Sequence, residues 1–107
     1  MMKVKLTNNA ADDLEEFSNI SKASNKTIKN YIVSMLNYTK QLGDFPDMGK
    51  YKFDIKTDKN IYSVRQLVFR QHKILYYYDE AIHILGFLHS KLNEQQYFEK
   101  LKNIIDF

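Results

Sequence analysis

The 107 residues, 44% of them hydrophobic, suffice for one core of ordinary size and not for two, so residues 1–107 are expected to form a single domain. The sequence has no Cys, no N-terminal apolar run of the ~7–15 residues a secretory signal needs, and no apolar run of the ~18 residues that span a bilayer, which points to the cytoplasm and away from a membrane. A net charge of +3 and a pI near 9.0 suit a nucleic-acid or acidic-protein partner without selecting one.

Lys3 to Thr7 alternates apolar and polar side chains and is expected to be a short strand, with Thr7 as the N-cap of a helix that follows. In that helix Ala10, Leu14, Phe17 and Ile20 make a narrow apolar stripe. Asp12, Asp13, Glu15 and Glu16 are expected to form a solvated acidic face near the end where the helix dipole favours negative charge. After a polar break at Ser21 to Asn25, Ile28, Tyr31, Ile32, Met35, Leu36, Thr39 and Leu42 recur at helical spacing. This is the strongest periodic signal in the chain, and it predicts an amphipathic helix closed by Gly43 in the left-handed conformation. The two helices should form an antiparallel hairpin on one face of a sheet.

Residues 44–60, which include Pro46, are the least regular and predict a polar loop or a frayed edge strand. Residues 61–89 hold three runs rich in Val, Ile, Leu, Tyr and Phe, broken at Arg70-Gln71 and Asp79-Glu80, the pattern of an antiparallel meander. Alternation puts Lys73, Leu75 and Tyr77 on one face and His72, Ile74, Tyr76 and Tyr78 on the other, with one face covered and the other partly open. Neither break carries the Asn-Gly or Asp-Gly pair that would set the hairpin register, which stays open. Asn93 followed by Gln96 resembles a capping box, and Tyr97, Leu101, Ile104 and Ile105 form a last amphipathic stripe. The expected architecture is α+β: a small, mainly antiparallel sheet in the order β-α-α-β-β-β, the N-terminal strand joining the meander, an N-terminal helical hairpin on one face, and a C-terminal helix.

The three Gly are not clustered, which excludes a glycine-rich phosphate loop, and zero Cys with three scattered His give no zinc spacing. Nothing resembles a G-x-S-x-G elbow. No cofactor and no metal is expected. The remaining chemistry is a set of cations, imidazoles and phenols: Arg65, Arg70, Lys73, His89, Lys91 and Tyr97. Such cations can hold phosphate, and a His or Tyr can move a proton during attack of a ribose 2′-hydroxyl on the adjacent phosphodiester. Each has a plain alternative: Arg65 can pair with a helix carboxylate, and His89 can be a hydrogen-bonded histidine at a strand end.

The segments VKLTNNAADDL (4–14), LGDFPDMGK (42–50), YSVRQL (62–67), HKILYYYDE (72–80) and IHILGFLHSKLN (82–93), in this order and spacing, resemble toxins of the RelE/ParE superfamily, the growth-inhibiting half of type II toxin–antitoxin modules. The resemblance implies the same β-α-α-β-β-β order and a cognate antitoxin as partner, with a homodimer or a toxin–antitoxin hetero-oligomer as the assembly. It also implies one of two targets. RelE-like members are ribosome-dependent endoribonucleases that cut mRNA. The positions of this chain that match their functional residues are Arg65, Lys73, Lys91 and Tyr97, with His89 a further candidate. Lys73 stands where those enzymes usually carry Arg and gives up a bidentate grip on phosphate. ParE-like members poison DNA gyrase and have no catalytic site. The Phe-Pro-x-Met-Gly loop and the Leu-His-x-x-x-Asn ending look more like that branch, so the reading leans to gyrase, with the mRNA nuclease as the alternative.

Overall fold

A computed structural model describes residues 1–21 and 23–104 of the chain. Its elements are β1 (Val4–Leu6), α1 (Asn8–Ile20), α2 (Asn25–Thr39), β2 (Lys50–Lys56), β3 (Ile61–Phe69), β4 (His72–Tyr78), β5 (Ile82–His89) and α3 (Glu94–Ile104). The sheet order is β1-β5-β4-β3-β2, antiparallel throughout except where β1 runs parallel to β5. This is the expected α+β arrangement with one strand more, because β2 precedes the three strands of the meander and makes the order β-α-α-β-β-β-β-α. Lys22, inside the expected break, and Ile105, in the expected last stripe, lie outside the described residues. No described helix is long and apolar enough to cross a membrane.

The Thr7 hydroxyl accepts from the Ala10 N–H at 3.2 Å and donates to the Ile84 carbonyl at 2.9 Å. One side chain thus caps α1 and ties its start to β5. Ser24 caps α2 by accepting from the Thr27 N–H at 3.2 Å. Two expectations about these helices are corrected. No acidic residue occupies the first turn of α1, so the carboxylates at positions 12–16 lie beyond the reach of the helix-end partial charge. Gly43 is not left-handed. The chain leaves α2 through a 3₁₀ turn at Lys40–Gly43, and the Gly43 carbonyl accepts from the Met2 N–H at 2.9 Å, so the N-terminus satisfies the helix end.

Residues 44–60 hold more order than the sequence promises: β2 is a seven-residue edge strand, with a register shift between Tyr51 and Phe53. The β3–β4 connection has two residues, Phe69 pairing with His72. Arg70 takes φ of 50° there, a conformation that costs a non-glycine residue about 1–3 kcal/mol. Its guanidinium lies 5.1 Å from the Phe69 ring centre and 5.8 Å from that of Tyr31, contacts that offset part of the cost. The β4–β5 connection has three residues, because Tyr78 pairs with Ile82.

On β5 the register shifts opposite Leu75 and Tyr76, so Leu85 is a bulged residue. Ile82 and Ile84 before it, and Phe87 after it, all join the core under α1 and α2. That core includes Ala10, Met35, Leu42, Ile74 and Tyr76, each 0% exposed. On the opposite face Tyr97 and Leu101 of α3 pack with Val64, Leu75, Leu85 and Leu88, while Val68, paired with Lys73 there, stays 57% exposed, so that face is partly open.

Candidate functional site

The sequence-predicted residues fall into three places. Arg65 pairs with Tyr76 across β3 and β4, which puts it on the face under α1 and α2. It is committed to the loop at residues 44–49: its Nη1 donates to the Gly49 carbonyl at 2.8 Å and to the Asp47 carbonyl at 3.4 Å, and its Nη2 lies 3.4 Å from the Asp47 carboxylate. Its partner is therefore a loop carboxylate, not the helix carboxylate of the plain alternative. Tyr76, fully buried, completes the clamp: its hydroxyl accepts from the Gly49 N–H at 2.8 Å and donates to the Pro46 carbonyl at 2.7 Å. Burial holds that phenol above its ordinary pKa, so it stays a donor. Gly49 is required here, since a Cβ would sit 2.6 Å from the Tyr76 hydroxyl. Tyr78 also donates to the Asp47 carboxylate.

Lys73 lies on the other face. It is an odd number of residues from Tyr76 on an unbroken strand, and its Nζ meets the Glu94 carboxylate of α3 at 3.1 Å. Lys52 reaches the same carboxylate at 3.6 Å. The Lys73 hydrogen bond, with the charge of both lysines, holds the Glu94 pKa below its ordinary value. Arg65 and Lys73 therefore point to opposite sides of the sheet, each with a polar partner already in place.

His89, Lys91 and Tyr97 gather at the end of β5. His89 pairs with His72 across the strands, their rings 5.1 Å apart edge to face, and Phe17 lies against both. The Nδ1 of His89 accepts from the Lys91 N–H at 3.1 Å. His72 is 2% exposed and shares a 2.8 Å hydrogen bond with the Tyr31 hydroxyl. Burial, and then the neighbouring His89, lower the His72 pKa to about 4, so it is neutral at pH 7. A mainly apolar hollow beside this cluster is lined by Phe17, Ile20, Tyr31, His89, Lys91 and Leu92. A second, smaller hollow adjoins it and is bordered by His89 and Tyr97 together with Asp13 and Lys100.

Tyr97 is 8% exposed, and its hydroxyl donates to the Asp13 carboxylate. Two elements from opposite faces meet here because of Gly86: a Cβ at that position would lie 1.7 Å from the Tyr97 oxygen and 2.8 Å from Asp13. β1 ends at Leu6, so among the described residues the β5 edge on that side has no strand partner beyond Ile84. Side chains of α1 replace it. The Phe87 N–H donates to Asp13 at 3.0 Å, and the Leu85 carbonyl accepts from the Asn9 amide at 2.9 Å. Asn9 also donates to the Tyr97 hydroxyl at 3.2 Å, and Lys100 stands 3.9 Å from Asp13. Burial raises the Asp13 pKa, opposed by the Tyr97 and Phe87 hydrogen bonds and by Lys100. Burial and the Asp13 charge together raise that of Tyr97.

Asp13 corrects the sequence expectation of a wholly solvated acidic face: its side chain is 8% exposed. A signal for this was present, because residue 13 lies three after Ala10 and four before Phe17 and so shares the apolar stripe. Glu94, which meets two lysines, had no such signal. His83 is away from these groups, stacked on Tyr77 at 4.7 Å and paired with Asp79 at 2.9 Å. Among the described residues no group of three or more His, Asp or Glu is arranged to hold a metal ion.

No protein-family model and no curated protein sequence matches the chain. Among solved structures, a chain of the chromosomal ParDE TA system from P. aeruginosa matches with a TM-score of 0.63 and 17% sequence identity, covering 85% of this chain and 98% of that one. At that identity the likeness is one of fold.

Proposed function

We propose that this protein is the toxin of a type II toxin–antitoxin module, a single domain that arrests bacterial growth from within the cytoplasm until a cognate antitoxin covers it. The fold likeness to a chain of a ParDE TA system, over 98% of that chain's length, supports the module, and the sequence segments that resemble RelE/ParE toxins support the same reading. For the target we propose DNA gyrase, bound in the ParE manner without chemistry. The observation that carries this choice is the placement of Arg65 and Lys73 on opposite sheet faces, Arg65 clamping the 44–49 loop and Lys73 paired with Glu94. A nuclease needs its cations aimed together at the phosphate where charge develops.

One observation favours the alternative of a ribosome-dependent mRNA nuclease: His89, Lys91 and Tyr97 border adjoining hollows, so a phosphate held there would have a cation and an imidazole near it. The test sets primer extension on translated mRNA beside a gyrase supercoiling assay, after expression has been shown to stop growth and the antitoxin encoded beside the toxin to restore it. Inhibited supercoiling with intact mRNA is the expected result, unaffected by Lys91→Ala. Codon-phased cleavage that Lys91→Ala or Tyr97→Phe abolishes would replace the gyrase reading with the nuclease.

A further inference from the structure

The loop between the 3₁₀ turn and β2 combines two properties that seldom occur together: it is rigidly anchored, and it exposes large apolar side chains. Phe45 is 63% exposed and Met48 39%, yet most of the backbone polar groups between them are engaged. The Phe45 N–H donates to the Gln41 carbonyl at 2.9 Å and the Met48 N–H to the Phe45 carbonyl at 3.1 Å. Pro46 and Gly49 are held by the Tyr76 hydroxyl, and Gly49 and Asp47 by Arg65. A fully buried tyrosine and an arginine are thus spent on fixing a loop whose own apolar side chains face outward. Ordering those residues in advance removes a cost that a binding loop would otherwise incur on contact.

We infer that Asp44–Met48 is the contact by which the toxin grips its target, and that the target surface is protein: an apolar socket for Phe45 and Met48 with a Lys or Arg at its rim for Asp44. Charge decides the class of partner. The chain is +3 overall, but this loop carries two carboxylates and no cation, so it repels a phosphate backbone. Asp47 is already paired with Arg65 and Tyr78, which leaves the exposed Asp44 as the carboxylate for the rim. An exposed aromatic in a fixed position is the kind of side chain that dominates protein–protein binding.

The inference rests on the toxin reading, and the experiment separates the two. Growth arrest is measured against inducer dose for the wild type and for Phe45→Ser, Met48→Ser, Asp44→Lys, Phe45→Leu and Tyr76→Phe, and each purified variant is titrated against the cognate antitoxin and melted. Phe45→Ser and Met48→Ser should each weaken arrest by roughly tenfold or more, with antitoxin affinity and melting temperature unchanged. Phe45→Leu should retain most of the activity, Asp44→Lys should weaken arrest without touching the apolar anchors, and Tyr76→Phe should weaken it by releasing the loop. Arrest at wild-type doses by Phe45→Ser, Met48→Ser and Asp44→Lys sinks the loop contact and leaves the toxin reading standing. An equal loss of antitoxin affinity overturns the inference by making the loop the antitoxin's seat. A wild type that does not arrest growth removes the toxin reading and this inference with it.

Discussion

Under α1 and α2 the sheet is covered by close apolar packing, with Ala10, Leu14 and Met35 against Ile74, Ile82 and Ile84, whereas α3 lies on the other face through Leu101 and Tyr97 on a smaller apolar cluster, a few aromatic contacts and a set of polar links near its start. Phe98 meets Phe53 at 4.6 Å, Tyr97 reaches through to Asp13, and Glu94 draws in Lys52 and Lys73. The first cover depends on excluded water and matched shape, which salt barely touches, with the buried His72 as its pH-sensitive group. The second depends on proton positions and charge as well, so the two should respond to different perturbations.

The largest expected effect is on the first face. Met35→Ala, at 0% exposure, should cost about 2–5 kcal/mol, read from urea denaturation midpoints, and the loss should be the same at low and high salt. A salt-dependent loss would show that the apolar cover is not what holds this face. Next comes His72, the one buried imidazole on that face. Its folded pKa of about 4 lies below the ordinary value near 6.5. Below pH 6.5 the unfolded chain takes up a proton that the folded chain refuses until about pH 4. Stability present above pH 6.5 is therefore lost as the pH falls through that window, by at most about 3 kcal/mol. Asp13, with its raised pKa, pulls in the opposite direction, so the measurement is the difference between wild type and His72→Gln from pH 7 to pH 4. A constant difference would refute the assignment.

The second face should show smaller and more local losses. Tyr97→Phe leaves the Asp13 carboxylate short of a donor while still buried, at a cost of about 1–3 kcal/mol. Hydrogen exchange should quicken at the Phe87 amide and in α3 before it does in α2. Uniform quickening across both helices would mean that the two faces open as one unit. Glu94→Gln, at a partly exposed pair, should cost under about 1 kcal/mol, and the cost should vanish in high salt.

What the sequence made legible follows the same division. The spacing of Ile28 to Leu42 and the breaks at residues 70–71 and 79–80 repeat with the period of the structure they form, so α2 and the meander could be read directly. β2 could be read only as one of two alternatives, because an edge strand bearing Lys50, Lys52, Asp54 and Lys56 looks much like a polar loop; edge charges guard against unwanted pairing and also mask the strand. The register of β3 and β4 was hidden because Arg70 adopts a turn conformation usually left to glycine. For the candidate site, residue types were visible but their partners were not: Arg65 with Gly49, Lys73 with Glu94, and Tyr97 with Asp13 are separated by 16, 21 and 84 positions, and no local pattern encodes such distances.

The bulge at Leu85 shifts the alternation of β5 by one. Ile82 and Ile84 occupy even positions on the α1–α2 face, Phe87 and His89 odd positions on the same face. A chain lacking residue 85 or 86 would run in continuous alternation, its counterparts of Phe87 and His89 staying on the face of Ile82 and Ile84, but it would lose either the Leu85 side chain that packs under α3 or the Gly86 notch that admits Tyr97. When two chains of this fold are aligned, a gap placed anywhere in this strand other than at the bulge matches inward residues with outward ones. A one-residue length difference there therefore marks a change in how α3 is attached, even when every neighbouring letter agrees.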